Sequence, residues 1–414
     1  MSEATARPAD ETGVEPYARV PTRWITRFAL VWLGVWMAWL VPVQLALPEQ
    51  LDTIDHAHRY RDFGIINAVA GIVTLALLPV CGALCDRTRS RLGRRKVWVL
   101  GGTAAYAVAL VLTGYQHSWG ALAATWGLAA AAVCAITAGL TATVADEVPD
   151  EQRGLVSGAM FGPQSVGLVV GLVAVEGLSA AGRYWSIALA LLVLALPFLL
   201  RYRDVDPGHG APALSVAEIV ESLWVDPRRH PDFGWAFGSR LLVNIGNALG
   251  TTYLYFFLKD DLHVSDPDAS LLELSLIYVV FTLLATFAGG VASDRSGRRK
   301  VFVGVAAALQ GLAALLLVAF PSYAVAAVGA ALLGAGYGAF LAVDQALVTA
   351  VLPSADDRAK DLGILNIGTN VPQALGPLMA AALVAWVGFG AMFAVAGLMS
   401  LAGAVMVRPV RAVP

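Results

Sequence analysis

Charge is scarce in this chain. Asp, Glu, Lys and Arg make up only 14% of its 414 residues, against 58% hydrophobic ones, and the mean hydropathy is +0.68. Soluble domains carry about 25% charged residues, so a water-soluble globular protein is excluded and a polytopic membrane protein is expected. Cysteine is scarcer still. Cys81, Cys85 and Cys134 all lie within apolar stretches, which excludes a disulfide scaffold and a structural zinc site. The 6 histidines fall in polar segments, and His56 and His58 belong to a solvated loop rather than to a metal-ligand cluster. A phosphate-cradling Gly-Lys loop and a nucleophile elbow are both lacking. Nothing therefore points to an enzyme, a cofactor, a resident metal or ATP as an energy source. The basic clusters are short segments between apolar runs, which topology explains better than nucleic-acid binding does.

What the chain has in abundance is long apolar runs. A bilayer core about 30 Å thick takes roughly 20 residues of helix, and twelve such spans can be read: 24–47, 63–85, 97–115, 119–143, 154–178, 184–201, 233–258, 270–292, 301–320, 323–350, 361–386 and 388–407. The breaks fall at polar, turn-rich stretches such as "LPEQLDTIDHAHRYRD", "EVPDEQRG", "KDDLHVSDPDAS" and "LPSADDRAKD". The expected fold is all-α, with about twelve transmembrane helices.

Of the 28 Lys and Arg residues, only Arg59, Arg61, Arg183 and Lys259 fall in the loops of one side, while Arg240 lies inside a span. The rest collect at the tails and the opposite loops. The positive-inside rule makes that side, with both termini, cytoplasmic. The polar N-terminal stretch lacks the apolar core of a signal peptide. The expected organisation is a cytoplasmic tail over 1–22, a six-helix bundle over 23–201, a cytoplasmic linker over 202–232, a second bundle over 233–408 and a short tail over 409–414. Within the linker, "SVAE" at Ser215 to Glu218 has capping-box spacing and predicts a short surface helix.

One charged phrase occurs twice. "GALCDRTRSRLGRRK" begins at Gly82 and "GGVASDRSGRRK" at Gly289, after spans two and eight. Asp86 and Asp294, Arg87 and Arg295, Gly93 and Gly297, Arg94 and Arg298, and Arg95 and Arg299 come in matching order. A second echo pairs "PQSVG" at Pro163 with "PQALG" at Pro372. The halves are repeats, and six spans per half give both copies the same orientation. Two parallel six-helix repeats around a midplane site form a transporter architecture.

The doubled phrase resembles the signature loop of the major facilitator superfamily, and the resemblance covers about residues 23 to 408. Within that superfamily, "SRLGRRK" at Ser90 and "LGILNIGTNVPQ" at Leu362 resemble the sucrose-transporter-like and glycoside:cation symporter branch. "GAMFGPQSVG" at Gly158 resembles the kinked fifth-helix motif of proton-driven drug antiporters, although Gly167 stands farther from the proline than in those. The resemblance implies that Asp86 and Asp294 each meet the N-terminal end of a helix in the opposite half. They would form, with Arg87, Gly93, Arg94, Arg95, Arg295, Gly297, Arg298 and Arg299, a cytoplasmic latch that stabilises the outward-facing state. Each aspartate ends a helix, where the macrodipole disfavours an anion. The bland alternative is that the basic residues only set topology.

Polar residues inside spans are the best functional clue, because hydrocarbon penalises them. Arg240, Asn244, Asn247 and Thr251 fall at i, i+4, i+7 and i+11 of span seven and share one face. That face lines a water-filled cavity or glues helices together. Asp344 in span ten lies at a similar depth to Arg240, so the two are expected to pair directly or through cargo, with Asp344 the candidate for proton coupling. A fixed structural pair, or Arg240 reaching to the interface, is the alternative. Gln345 adjoins Asp344, while Asn366, Asn370 and Gln373 share a face of span eleven and Thr137 and Thr141 one of span four. Trp32, Trp36 and Trp39 form a stripe in span one that either stacks on cargo or packs. Gly154, Gly158 and Gly162, then Gly167 and Gly171, offer close helix approach in span five, with Pro163 as a kink. Glu176 and Glu273, near outer ends of their spans, are secondary coupling candidates.

The expected function is alternating-access transport of a small solute, with proton-coupled sugar or glycoside symport as first reading. Proton-driven export of drugs or metabolites is the alternative, and a non-transporting receptor or scaffold the third. The expected partners are the solute, a co-transported proton and the lipid of a prokaryotic cell membrane, with no nucleic acid and with function as a monomer.

Overall fold

The computed structural model describes residues 19–202, 204, 231–350 and 358–410. Among these residues twelve long helices follow one another: α1 (Thr22–Ile54), α2 (Arg59–Arg87), α3 (Lys96–Gly114), α4 (Trp119–Glu147), α5 (Asp150–Val175), α6 (Ala180–Arg201), α7 (Pro231–Thr252), α8 (Pro267–Ser296), α9 (Arg299–Ala319), α10 (Tyr323–Ala350), α11 (Arg358–Trp386) and α12 (Phe389–Met406). Local chemistry sets several boundaries. Asp266 caps α8 by accepting from Ala269 N, with Pro267 at the first helical position, and Gly297 ends the same helix in the left-handed conformation at φ 67°. Ser179 caps α6 through Gly182 N.

Some helices run past the predicted spans. "LPEQLDTI" is helical, so the loop after α1 shrinks to Asp55–His58. Likewise α5 begins at Asp150, within "EVPDEQRG". Polar helix ends can leave the hydrocarbon, so a span read from apolarity alone stops short of them. The proposed linker helix at Ser215 to Glu218 and the two tails beyond 19 and 410 lie outside the described residues.

The two halves repeat one packing scheme. α1 packs on α5 and α6, α2 on α4, and α3 on α4 and α6; in the same order α7 packs on α11 and α12, α8 on α10, and α9 on α10 and α12. A π-helical turn marks the C-terminal part of the first span of each half, Pro42–Ala46 within α1 and Phe257–Asp261 in the continuation of α7. The second follows a 42° bend between Pro231–Thr252 and Leu254–Asp261.

Both described chain ends lie on one face, the terminal face: Val20 bonds Gln152 at the start of α5, and Lys300 at the start of α9 bonds Val410 O. The opposite, distal face carries the loops after α1, α3, α5, α7, α9 and α11. The halves meet mainly through α2 against α11, and through α5 against α8. At Gly64 a side chain would collide with Ala381 Cβ, so this glycine permits the close crossing of α2 and α11. Near the distal face one apolar core runs across both halves, with Phe63 against Tyr253 and Tyr60 against Phe256 and Phe389. The terminal part of the second half keeps a separate core around Val243, Val303, Phe340 and Leu347.

Candidate functional site

α7 turns its polar stripe towards α8 and α10. Arg240 Nη1 lies 2.7 Å from Asp344 Oδ2, and the two side chains are only 11% and 6% exposed. Neither charge could lie alone in so apolar a setting without a desolvation penalty of several kcal/mol. Seven residues farther along α7, about 10 Å deeper at 1.5 Å per residue, Asn247 Nδ2 donates to Tyr278 Oη of α8 at 3.4 Å. Tyr337 lies seven residues before Asp344 on α10, and its ring stacks on Tyr278 and on Phe340 at 6.4 Å each. The wall of the second half is thus charged near the terminal face and aromatic deeper in.

The other stripe members turn inward on their own helix. Asn244 is buried and its Nδ2 donates to Arg240 O at 2.9 Å, while Thr251 Oγ1 donates to Asn247 O at 2.9 Å. The side chains of Gln345, Asn366, Asn370 and Gln373 lie outside the described set. Tyr278 and Tyr337 were not legible as site residues. The available signal was the seven-residue spacing of Tyr337 from Asp344, which places both on one helical face.

In the first half, Trp36 is half-buried and its Nε1 donates to Met160 O of α5 at 2.9 Å. Trp32 is buried against Phe28, and Trp39 stacks on Trp126 with ring centres 5.1 Å apart. The tryptophan stripe is therefore packing and an inter-helix bond, not a bare stacking platform. Next to it, Thr141, Val144, Val156, Ser157 and Met160 line a cavity of about 100 Å³ between α4 and α5. Trp36→Phe keeps the ring and removes the N–H. It is expected to lower stability by about 1 kcal/mol with transport retained, as read by thermal unfolding beside a transport assay.

The latch residues engage within their own half. Asp86 accepts from Arg95 at 2.5 Å, and Arg94 and Arg95 both reach Asp146 of α4, at 3.0 and 2.9 Å. Gly93, at φ 104°, lets the loop close on Asp204, whose carboxylate accepts from Arg95 N. Lys96 Nζ bonds Tyr202 O at 3.2 Å as Lys300 Nζ bonds Val410 O at 2.8 Å, a further match between the repeats. Arg87, Arg295 and Arg298 are exposed, Arg299 is half-buried and the side chain of Asp294 lies outside the described set. Among the described side chains, then, Asp86 is paired within its own half, with Arg95 as its counter-charge; the side chains at the start of α11, which the latch would engage, lie outside the described set.

The α5 glycines divide into two sets. Gly167 approaches Leu33 O and Met37 N of α1, each at 3.2 Å from a hypothetical Cβ, and Gly171 faces Val41 and Met37. Gly154, Gly158 and Gly162 meet nothing within 4 Å. At about 100° per residue the two sets point to opposite sides of the helix, and of the two runs read from the sequence it is Gly167 and Gly171 that meet a described helix closely. Pro163 lies inside α5, three residues after Met160. Glu273 accepts from Tyr323 Oη at 2.7 Å, and Glu176 is exposed at the end of α5.

At the distal face charges cross between the halves. Lys259 Nζ pairs with Asp52 at 2.7 Å, Arg59 with Asp260 at 3.1 Å and Arg183 with Asp268 at 2.6 Å. Tyr253 Oη donates to Tyr60 O at 2.8 Å and reaches Pro377 O at 3.2 Å. The inter-half hydrogen bonds and ion pairs whose two side chains are both described belong to this face. Charge pairs and hydrogen bonds of described side chains thus tie the halves together distally.

The profile of the Major Facilitator Superfamily matches residues 25–260 and 240–414. The chain is 24% identical over 395 residues to the multidrug resistance protein MdtG of Salmonella paratyphi C (strain RKS4594), covering 91% of this chain and 93% of that one. It is 26% identical over 404 residues to the protein of the same name from Citrobacter koseri, covering 91% and 92%. Among solved structures it resembles the nucleoside transporter NupG with a TM-score of 0.73 at 14% identity, covering 92% and 97%. A bacterial homologue of the human lysosomal transporter Spinster gives 0.68 at 16%, covering 94% and 95%.

Proposed function

The chain belongs to the major facilitator superfamily, whose members carry small solutes across membranes, and from that premise we propose that it exports amphipathic compounds in exchange for protons. The observation that carries this reading is the α7 stripe. A glycoside site needs amides and hydroxyls turned towards the cargo, yet Asn244 and Thr251 bond their own helix and Asn247 bonds Tyr278. Among the described side chains of the second half, the Tyr278–Tyr337 surface beside the Arg240–Asp344 pair suits a partly apolar, planar compound. The multidrug resistance relatives favour the same direction, so export takes precedence over glycoside symport.

In this reading the terminal face is cytoplasmic, in keeping with the concentration of Lys and Arg there, and the structure is the inward-open state. A proton entering from the distal side binds Asp344 and releases Arg240 from it; cargo enters from the terminal side, and the bundles rock about the site between them. The test is extrusion of a fluorescent lipophilic dye from energised cells producing the protein, with labelled glycoside uptake measured in parallel. The expected result is dye extrusion that stops on adding a protonophore, with no glycoside accumulation. Protonophore-sensitive glycoside uptake without dye extrusion overturns the export reading.

A further inference from the structure

Each first-half charge in the distal ion pairs has a second partner within its own half. Arg183 of α6 touches both Asp268 of α8 and Glu49 of α1. Asp52 of α1 touches Lys259 of the α7 continuation at 2.7 Å, and also Arg59 of α2 at 3.3 Å and His56 at 2.8 Å. Arg59 in turn reaches Asp260 at 3.1 Å. The bend at Tyr253 and the π-helical turn after it present Lys259 and Asp260, neighbours of opposite sign, to that first-half set.

This doubling matters for the energetics of opening. Removing one partner from a buried ion pair strands the other charge, which is why such pairs usually resist separation. Arg183 is the buried cation of the cluster, its side chain 6% exposed, against 33% for Glu49 and 32% for Asp268. If the halves part distally, Arg183 loses Asp268 but keeps Glu49, and Arg59 and Asp52 keep each other. On the second-half side, Lys259 and Asp268, both about one-third exposed, and Asp260, 14% exposed and held in the closed state by Arg59 and Tyr60, lie on the parting surface and pass into water. The seal can therefore break without leaving a first-half charge alone.

We propose that these residues form a partner-exchange clasp in which Glu49 and Asp268 act on Arg183 in opposite senses, Asp268 favouring the distally closed state and Glu49 the distally open one. The sign follows from counting partners. Closed, Arg183 has two carboxylates; open, it has only Glu49. Loss of Asp268 weakens the closed state alone. Loss of Glu49 costs the open state its last carboxylate at Arg183, whereas the closed state retains Asp268.

The clasp goes beyond the export reading and depends on neither the cargo nor the direction of transport, so it can fail while that reading stands, and the reverse. The experiment places spin labels at the exposed distal positions His117 and Val387, one in each half, after Cys81, Cys85 and Cys134 are replaced, and reads their distance distribution in lipid nanodiscs. Asp268→Asn is expected to raise the long-distance population about tenfold, and Glu49→Gln to lower it by a similar factor, within the 5–150-fold range of typical conformational couplings. Shifts of the same sign, or no shift in either, overturn the proposal, because a purely structural role for Arg183 gives no opposition between its two carboxylates. If Glu49→Gln does not fold, Glu49→Asp shortens the reach to Arg183 and is expected to move the population in the same direction by a smaller factor.

Discussion

Asp344→Asn is expected to abolish proton-driven extrusion and to lower stability by about 3–5 kcal/mol, the cost of taking one partner from a buried ion pair. Arg240 and Asp344 lie 2.7 Å apart with both side chains almost buried, and the neutral amide offers no charge to the guanidinium. Arg240→Gln removes the other member and is expected to destabilise to a similar extent. The informative variant carries both changes. With neither charge left in the apolar wall, it is expected to recover most of the lost stability, since a neutral pair avoids the desolvation of two ions. Its extrusion is expected to stay insensitive to the proton gradient. Thermal unfolding of the purified variants, beside dye extrusion with and without protonophore, separates the two roles. Wild-type coupling in the double variant would make the pair structural only.

Sequence alone carried the architecture a long way, because membrane spans and charge placement follow from hydrocarbon's intolerance of polar groups. The doubled phrase after spans two and eight announced the repeat, and the repeated packing of α1–α6 and α7–α12 and the match of Lys96 with Lys300 are its structural counterparts. The Arg240–Asp344 juxtaposition was legible for a similar reason. Two opposite charges at similar depth in apolar helices have few alternatives to each other.

What resisted reading was anything that depends on which state the carrier occupies or which way a polar side chain turns. Helical spacing put Asn244, Asn247 and Thr251 on one face, but whether an amide meets cargo or its own backbone is decided by local geometry that periodicity does not encode. The distal clasp was invisible because its residues lie in the stretches read as loops. Arg59, Arg183 and Lys259 served only as evidence of sidedness until the fold brought Asp52, Asp260 and Asp268 to them. The latch expectation turns on side chains at the start of α11 that lie outside the described set; among the described ones Asp86 pairs with Arg95.

Glycine makes the same point with an effect large enough to measure. α8 and α10 pack so closely that a Cβ at Gly338 would be driven into the carbonyl of Thr282, and one at Gly334 into the carbonyl of Tyr278. Thr286 Oγ1 also donates to Gly338 O at 3.1 Å, a bond that requires this separation. Backbone cannot give way as a flexible side chain does, so Gly338→Ala must push the two helices apart and disturb the Tyr278–Tyr337 stack between them. The expected loss is about 1–3 kcal/mol, the usual range for overpacking, and Gly338→Val should exceed it and deplete folded protein from the membrane. Gly158→Ala is the matched control, because nothing lies within 4 Å of its added methyl group. Relieving the helix of a glycine there is expected to leave stability unchanged or raise it by about 0.5–1 kcal/mol. Thermal unfolding of both variants in one detergent decides the matter: comparable losses at the two positions would mean that the open side of α5 is packed, and that the glycine set starting at Gly154 has a neighbour after all.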